Sequence, residues 1–130
     1  MDHMPNSVHL EQLARTIECT GALIVLSSTW RLKAADKEQV KVALATYGLS
    51  LAGATPDLES IGKGDRVDEI LHYVSTCAQN VAWIAVDDMN LLAMNPKKMH
   101  GRHFVHTSDN DGFTASKADE AIEKLLIRSK

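Results

Sequence analysis

The sequence has few cysteines, and those it has form no pattern. Its 130 residues contain two, Cys19 and Cys77. Neither belongs to a Cys-x-x-Cys pair or a Cys/His cluster, which excludes a disulfide framework and argues against a zinc site. We therefore expect both thiols to be reduced and buried in the fold.

The sequence also lacks an excess of charge and a long apolar run. Its net charge is −3, so it has no basic footprint typical of nucleic-acid binding. No apolar run approaches the roughly 20 residues of a membrane-spanning helix, and residues 1–6 do not resemble a signal peptide. We expect a cytoplasmic or nuclear protein without membrane contact, folded as a single domain over residues 1–130.

The apolar pattern predicts alternating helices and strands. Helical spacing predicts helices over residues 7–19, 33–47, from 65 onward, and over 117–128. Short apolar runs predict strands at residues 23–26, 49–52, 81–86 and 103–106. Unbroken apolar runs are typical of strands buried on both faces, as in parallel sheets. Together they predict a three-layer α/β domain with a mostly parallel sheet.

A cluster of hydroxyl side chains follows the first predicted strand. Ser27, Ser28 and Thr29 stand where that strand should end, and open α/β sheets bind ligands at the carboxyl ends of their strands. A hydroxyl with neighbouring backbone N–H groups can hold a phosphate oxygen. The alternative is that Ser28 or Thr29 simply caps the following turn.

Two adjacent carboxylates, Asp87 and Asp88, follow the apolar run of residues 81–86. They repel each other unless a cation or strong hydrogen-bond donors neutralise them. Mg²⁺ is the simplest neutraliser, because it uses few carboxylates and completes its shell with water and phosphate oxygens. The alternative is that one of the two aspartates caps the next helix.

Two basic residues, Lys63 and Arg66, flank the start of the third predicted helix. A cation there opposes the helix dipole unless a negative group lies nearby. That group is the aspartate pair, a phosphate, or the acids of the same helix turn.

The run Asp109-Asn110-Asp111-Gly112 looks like an acidic catalytic motif or a calcium loop. A calcium loop counted from residue 107 needs glutamate at its twelfth place, where Ala118 stands. A catalytic acid should directly follow an apolar strand, and here polar residues intervene. We predict a polar turn with a positive φ at Gly112.

The histidines show no metal-binding spacing. His103 and His106 are three residues apart on a predicted strand, which places them on opposite faces. We therefore expect no metal site shared by these two side chains.

Together these segments resemble the haloacid dehalogenase-like (HAD) phosphohydrolases, and most closely the HAD domain of Swiss Army Knife RNA-repair proteins. The similarity covers nearly the whole chain. Its most specific block is Leu-Ser-Ser-Thr-Trp-Arg at residues 26–31. The other matching stretches are residues 5–10, 20–25, 66–70, 83–88, 104–107 and 112–114.

The resemblance implies a role for each candidate residue. Ser27, with Ser28 beside it, matches the hydroxyl that binds the phosphoryl group. Asp88, supported by Asp87, matches the family's Mg²⁺-binding acid. The basic residue that neutralises phosphate and nucleophile is matched by Arg66, or else by Lys63.

One motif of the family is missing. The family begins with an apolar strand ending in Asp-x-Asp-Gly, whose first aspartate attacks phosphorus and whose second is the general acid/base. Residues 1–6 contain no such strand. The resemblance implies that this strand lies centrally, between those ending at Ser27 and at Asp87, and each orphaned backbone group costs about 1–3 kcal/mol. Either the flanking strands pair directly, or another segment or chain fills the gap, or the protein begins upstream, which we favour.

The sequence therefore predicts a Mg²⁺-dependent phosphohydrolase-type domain with no large cap. Without its nucleophile it should be inactive, with Mg²⁺ binding weak or absent and its phosphorylated substrate unidentified. The alternative is a non-catalytic interaction or phosphate-sensing module on the same scaffold. Its open strand edges would then accept a partner's strand or form a strand-exchanged homodimer. A phosphoryl-receiving domain is disfavoured, because no isolated aspartate ends a central strand.

Overall fold

The structure, a computed structural model, describes residues 7–27, 34–77, 81–108 and 111–127. Helices and strands alternate along these residues. The helices are α1 (Ser7–Thr20), α2 (Ala34–Ala45), α3 (Arg66–Ser75), α4 (Leu91–Met94) and α5 (Ala115–Ile127). The strands are β1 (Ile24–Leu26), β2 (Leu51–Ala54), β3 (Ala85–Asp87) and β4 (Phe104–His106), with one 3₁₀ turn at Gly101–His103.

The strands form two parallel pairs. β1 pairs with β2, and Ile24 lies opposite Leu51. β3 pairs with β4, and Asp87 lies opposite His106. Across the four described ranges, hydrogen-bonded pairing joins β1 to β2 and β3 to β4, but not β1 to β3. The α/β class with parallel strands is confirmed, and the strands are divided between two small sheets.

Each strand pair has its own hydrophobic cluster. The cluster on β1 and β2 is centred on Leu10, Val40 and Leu44. The cluster on β3 and β4 contains Val67, Ile70, Ala85, Leu91, Met99 and Phe104. α1 and α5 pack against each other, so this helix pair connects the half that carries β1 to the half that carries β4.

The start of α1 contacts the loop that follows β4. Leu10 and Leu13 of α1 belong to the hydrophobic cluster that also includes Ile24 and Leu26 of β1. α1 begins at Ser7. At that start, the His9 Nε2 atom lies 2.9 Å from the carbonyl oxygen of Asp111, in the loop that follows β4.

The strands are less buried than their apolar runs suggest. Leu23 is 80% exposed, and Val86, in the middle of β3, is 41% exposed. β1 is half-buried along its length, and β3 spans three residues instead of the expected six. The expectation of burial on both faces was wrong for β3, because the described elements leave the face that carries Val86 partly open to solvent.

Two boundaries differ from those expected. β2 begins two residues late, because the Leu49 N–H donates to the Leu44 carbonyl (3.0 Å) in the turn that ends α2. Gly48 takes a φ of 72° in that turn. α5 begins two residues early, because the hydroxyl of Thr114, rather than that of Ser116, accepts a first-turn N–H at 3.3 Å.

Both thiols lie on the surface. Cys19 and Cys77 are exposed, so the expectation of buried cysteines was wrong. Each lies at or just beyond the last turn of a helix, outside the two hydrophobic clusters. In the described parts of the chain, every helix is too short or too polar to cross a bilayer.

Candidate functional site

A capping box fixes the start of α3. The Asp65 carboxylate accepts the N–H of Asp68 at 2.9 Å, and the Asp68 carboxylate accepts the N–H of Asp65 at 2.9 Å. This reciprocal arrangement satisfies two backbone donors and holds the first helical turn in place. The expectation that the third helix starts at Asp65 is confirmed.

Arg66, the first residue of α3, reaches the end of β3. Its Nη1 atom donates to Oδ2 of Asp87 at 2.7 Å, and the two side chains are 11% and 6% exposed. The sequence left three possible negative groups for this cation. The structure shows the aspartate pair, because Arg66 contacts Asp87. The exposed Lys98 instead pairs with an acid of the first turn of α3, Asp68, at 2.7 Å. This ion pair lowers the pKa of the Asp68 carboxyl.

Asp87 has a donor on each carboxylate oxygen. Oδ2 accepts from Arg66, and Oδ1 accepts the N–H of Met89 at 2.9 Å. Burial raises the pKa of the Asp87 carboxyl above its usual 3.8, although the hydrogen bonds from Arg66 and Met89 favour the ionised form. Asp87 is therefore a desolvated acid whose charge state depends on its cationic neighbour.

Asp88 lies in the turn directly after β3. It is half-buried, and the Nε2 atom of His106 donates to its main-chain carbonyl at 3.0 Å. The N–H of Thr107 donates to the Asp87 carbonyl at 2.9 Å. β4 and the residue after it thus hold the turn that carries the second carboxylate.

The hydroxyl side of the predicted site belongs to the other strand pair. Ser27 directly follows β1 and is half-buried. The Leu26 carbonyl accepts the N–H of Thr55 at 2.9 Å, so Ser27 lies next to the residue that follows β2. Ser28 lies outside the described residues. Lys63 is exposed on the loop before α3.

The structure thus brings together one half of the predicted site. Arg66 and Asp87 are in contact at the carboxyl end of β3, and Asp88 follows in sequence. Ser27 directly follows β1, in the other strand pair. The roles of these residues as phosphate and metal ligands stay predictions.

The acidic run before α5 forms a turn. Gly112 has a φ of 65°, and its N–H donates to the Ser108 carbonyl at 2.9 Å. Asp111 is exposed, whereas Asp109 lies outside the described residues. The predicted polar turn with a positive φ at Gly112 is confirmed.

Two supporting residues were missed in the sequence. Glu69 is 3% exposed, and its Oε2 atom accepts the N–H groups of Leu58 (2.9 Å) and Glu59 (3.2 Å), which anchors the loop between β2 and α3. The available clue was its place between the apolar Val67 and Ile70. His106 had no comparable clue, because its contact with the turn after β3 depends on strand pairing.

The carboxylates at the end of β3 suit Mg²⁺ only if other ligands complete its coordination shell. Over the described residues, no group of three or more His, Cys, Asp or Glu side chains could hold a metal alone. Mg²⁺ commonly takes one or two carboxylates and fills its shell with water and phosphate oxygens. The hard oxygens of Asp88 and Asp87 match that requirement, provided that a substrate phosphate supplies the remainder.

Burial of Asp87 should make its contribution to stability depend on pH. Because its pKa is raised in the folded state, the folded protein holds this proton more tightly than the unfolded chain. Relative to Asp87→Asn, the wild type should lose stability as pH rises from 3.8 through the raised pKa, and then level off. Urea unfolding of both proteins across this range measures the difference. A difference that is constant or grows with pH would contradict a desolvated carboxyl.

Loss of Arg66 should leave an uncompensated buried acid. We expect Arg66→Met to lower the free energy of unfolding by about 3 kcal/mol, and by clearly less in an Asp87→Asn background. Lys98→Met, which removes an exposed ion pair, is the matched control and should have a much smaller effect. A double-mutant cycle by urea denaturation gives the coupling energy. Equal losses from Arg66→Met in both backgrounds would show that the pair is not coupled.

Comparison with known proteins identifies a family whose model matches this chain. The family model described as the HAD domain in Swiss Army Knife RNA repair proteins matches residues 4–118. The match spans both strand pairs and the Arg66–Asp87 contact. No curated protein and no solved structure matches the chain. Because the match covers most of its length, the chain belongs to the family of HAD domains of Swiss Army Knife RNA repair proteins.

Proposed function

We propose that this chain is a phosphatase-type HAD domain that holds Mg²⁺ and a phosphoryl group weakly, and that it lacks the nucleophile for turnover. Family membership supports the phosphatase-type scaffold. The observation that carries the proposal is the buried Arg66–Asp87 pair beside Asp88. Phosphoryl transfer requires such positioned charges around the phosphate and its metal.

The carboxyl end of β3 would be the metal side. HAD domains generally use Mg²⁺, and Asp88 with Asp87 would supply its carboxylate ligands. When bound, the ion would offset negative charge on the phosphoryl oxygens. Arg66 would fix the orientation of Asp87 through its 2.7 Å contact and add positive charge beside the phosphate.

The carboxyl end of β1 would be the phosphate side. Ser27 would donate its hydroxyl to a phosphoryl oxygen, with Ser28 next to it. Lys63, exposed on the loop before α3, would approach the substrate from the rim. The loop between β2 and α3, which Glu69 anchors, is too short to hold a large cap. The site would therefore be open to a bulky phosphorylated substrate.

A strand missing between β1 and β3, whose place is here called the strand slot, would explain the absent nucleophile. The two strands have separate partners and separate hydrophobic clusters. A parallel strand inserted there would pair with both neighbours and end beside Asp88. A carboxylate at that end would be the nucleophile of a covalent route.

Turnover of p-nitrophenyl phosphate with Mg²⁺ tests the proposal. We expect these 130 residues to hydrolyse it at the uncatalysed rate, with Asp88→Ala indistinguishable from wild type. An apolar strand ending in Asp-x-Asp-Gly, fused before Ser7, should raise Mg²⁺-dependent turnover by about a hundredfold or more. The same fusion with its first aspartate changed to asparagine is the control. Strong activity of the unfused chain that is lost on Asp88→Ala would refute a missing nucleophile.

The open edges of β1 and β3 favour a second candidate function, a non-catalytic module that binds a strand. The partner would be a second copy of this chain, which exchanges a strand into the slot.

Light scattering across a concentration series tests this second candidate. A strand-exchanged protein should have the mass of a dimer, because each copy fills the slot of the other. A monomer at every concentration would contradict strand exchange and leave the phosphatase-type proposal in place.

A further inference from the structure

We propose that His106 is a positioning residue, which fixes the turn after β3 and so orients the Asp88 carboxylate toward Mg²⁺. This inference rests on the proposed function, because it takes Asp88 as a metal ligand. From the sequence we expected no metal site shared by His103 and His106. The role proposed here for His106 is a supporting one instead.

The hydrogen bond between His106 and Asp88 has a defined donor and acceptor. His106 lies opposite Asp87 in the parallel pairing of β3 and β4. Its Nε2 atom is 3.0 Å from the main-chain carbonyl oxygen of Asp88. Because a carbonyl oxygen only accepts hydrogen bonds, Nε2 must carry the proton and donate it.

His106 is exposed, and a ring contact limits the freedom of its side chain. The His106 ring stacks on the ring of Phe104, with centroids 5.5 Å apart and planes inclined by 26°. Phe104 is 3% exposed and belongs to the hydrophobic cluster on β3 and β4. A ring stacked on a buried neighbour keeps few rotamers, so its hydrogen bond requires little further ordering.

Other contacts hold the neighbouring residues of the turn. The Thr107 N–H donates to the Asp87 carbonyl, and the Met89 N–H donates to the Asp87 carboxylate, both at 2.9 Å. The Met89 N–H and the Asp88 carbonyl belong to one peptide group, so the contact from His106 holds the Asp88 end of that group and the contact to Asp87 holds the other end. Loss of the His106 contact would free the Asp88 end and let the main chain that carries the Asp88 side chain shift relative to β3. Groups that orient metal ligands in this way commonly change metal affinity about 10–100-fold.

Titration of the full chain with MgCl₂, at constant ionic strength and a fixed concentration of inorganic phosphate, tests the role, with backbone amide shifts of residues 87–90 followed by NMR. His106→Phe keeps a ring to stack on Phe104 but removes the donor, and should weaken Mg²⁺ binding by about tenfold. His106→Gln keeps a donor and should restore binding to within about threefold of wild type. His72→Phe, at an exposed position near the opposite end of α3, is the matched control and should bind as wild type.

The outcomes separate this inference from the proposed function. If wild type and His106→Phe bind Mg²⁺ equally, the positioning role is wrong and the metal site stands. If His106→Gln binds as weakly as His106→Phe while both unfold at the wild-type urea concentration, the donor is not what matters and the inference also fails. If wild type shows no Mg²⁺-dependent shifts in residues 87–90, the proposed metal site itself is wrong, and this inference with it.

Discussion

The buried contact between Arg66 and Asp87 is the interaction on which the candidate site depends. Two nearly inaccessible charges lie 2.7 Å apart, and neither would be tolerated at its place without the other. The contact fixes the start of α3 against the end of β3, elements that are 21 residues apart in the chain. It thereby sets the position of Asp88 relative to a guanidinium group, which is the electrostatic arrangement that a phosphoryl group and Mg²⁺ would meet.

A second constraint is the division of the strands into two pairs. Parallel strands exposed along one edge leave backbone N–H and C=O groups for water or for another strand. In this chain the division extends to the core, because each pair has its own hydrophobic cluster. α1 and α5 hold the halves together through packing and through Arg15, which contacts Asp119 at 2.9 Å and the Ala115 carbonyl at 3.0 Å. The two sides of the proposed site therefore belong to halves that are joined by helices rather than by a continuous sheet.

Features set by local chemistry were predictable from the sequence. The start of the third helix at Asp65 and the positive φ of Gly112 follow from neighbouring residues, and each is found where expected. The exposure of Leu23 and Val86 was not predictable, since it depends on which elements pack over each residue rather than on the apolar run itself.

The candidate site shows the same distinction. The carboxylates after β3 and the cation at the start of α3 were visible in the sequence, but their pairing was one of several alternatives, because it joins distant segments. Glu69 and His106 were missed for the same reason: each acts on a main-chain group of another element. Long-range hydrogen bonds of this kind leave no spacing pattern in a single sequence.

The most direct test of the strand slot is the pattern of backbone NOEs in the isolated chain. Directly paired strands lie about 4.7–4.9 Å apart, close enough for strong contacts between backbone protons. A slot wide enough for one strand predicts such NOEs within the β1–β2 and β3–β4 pairs, and none between residues 24–26 and 85–87. Backbone NOEs between β1 and β3 would show that the two strands pair directly, and would contradict the slot.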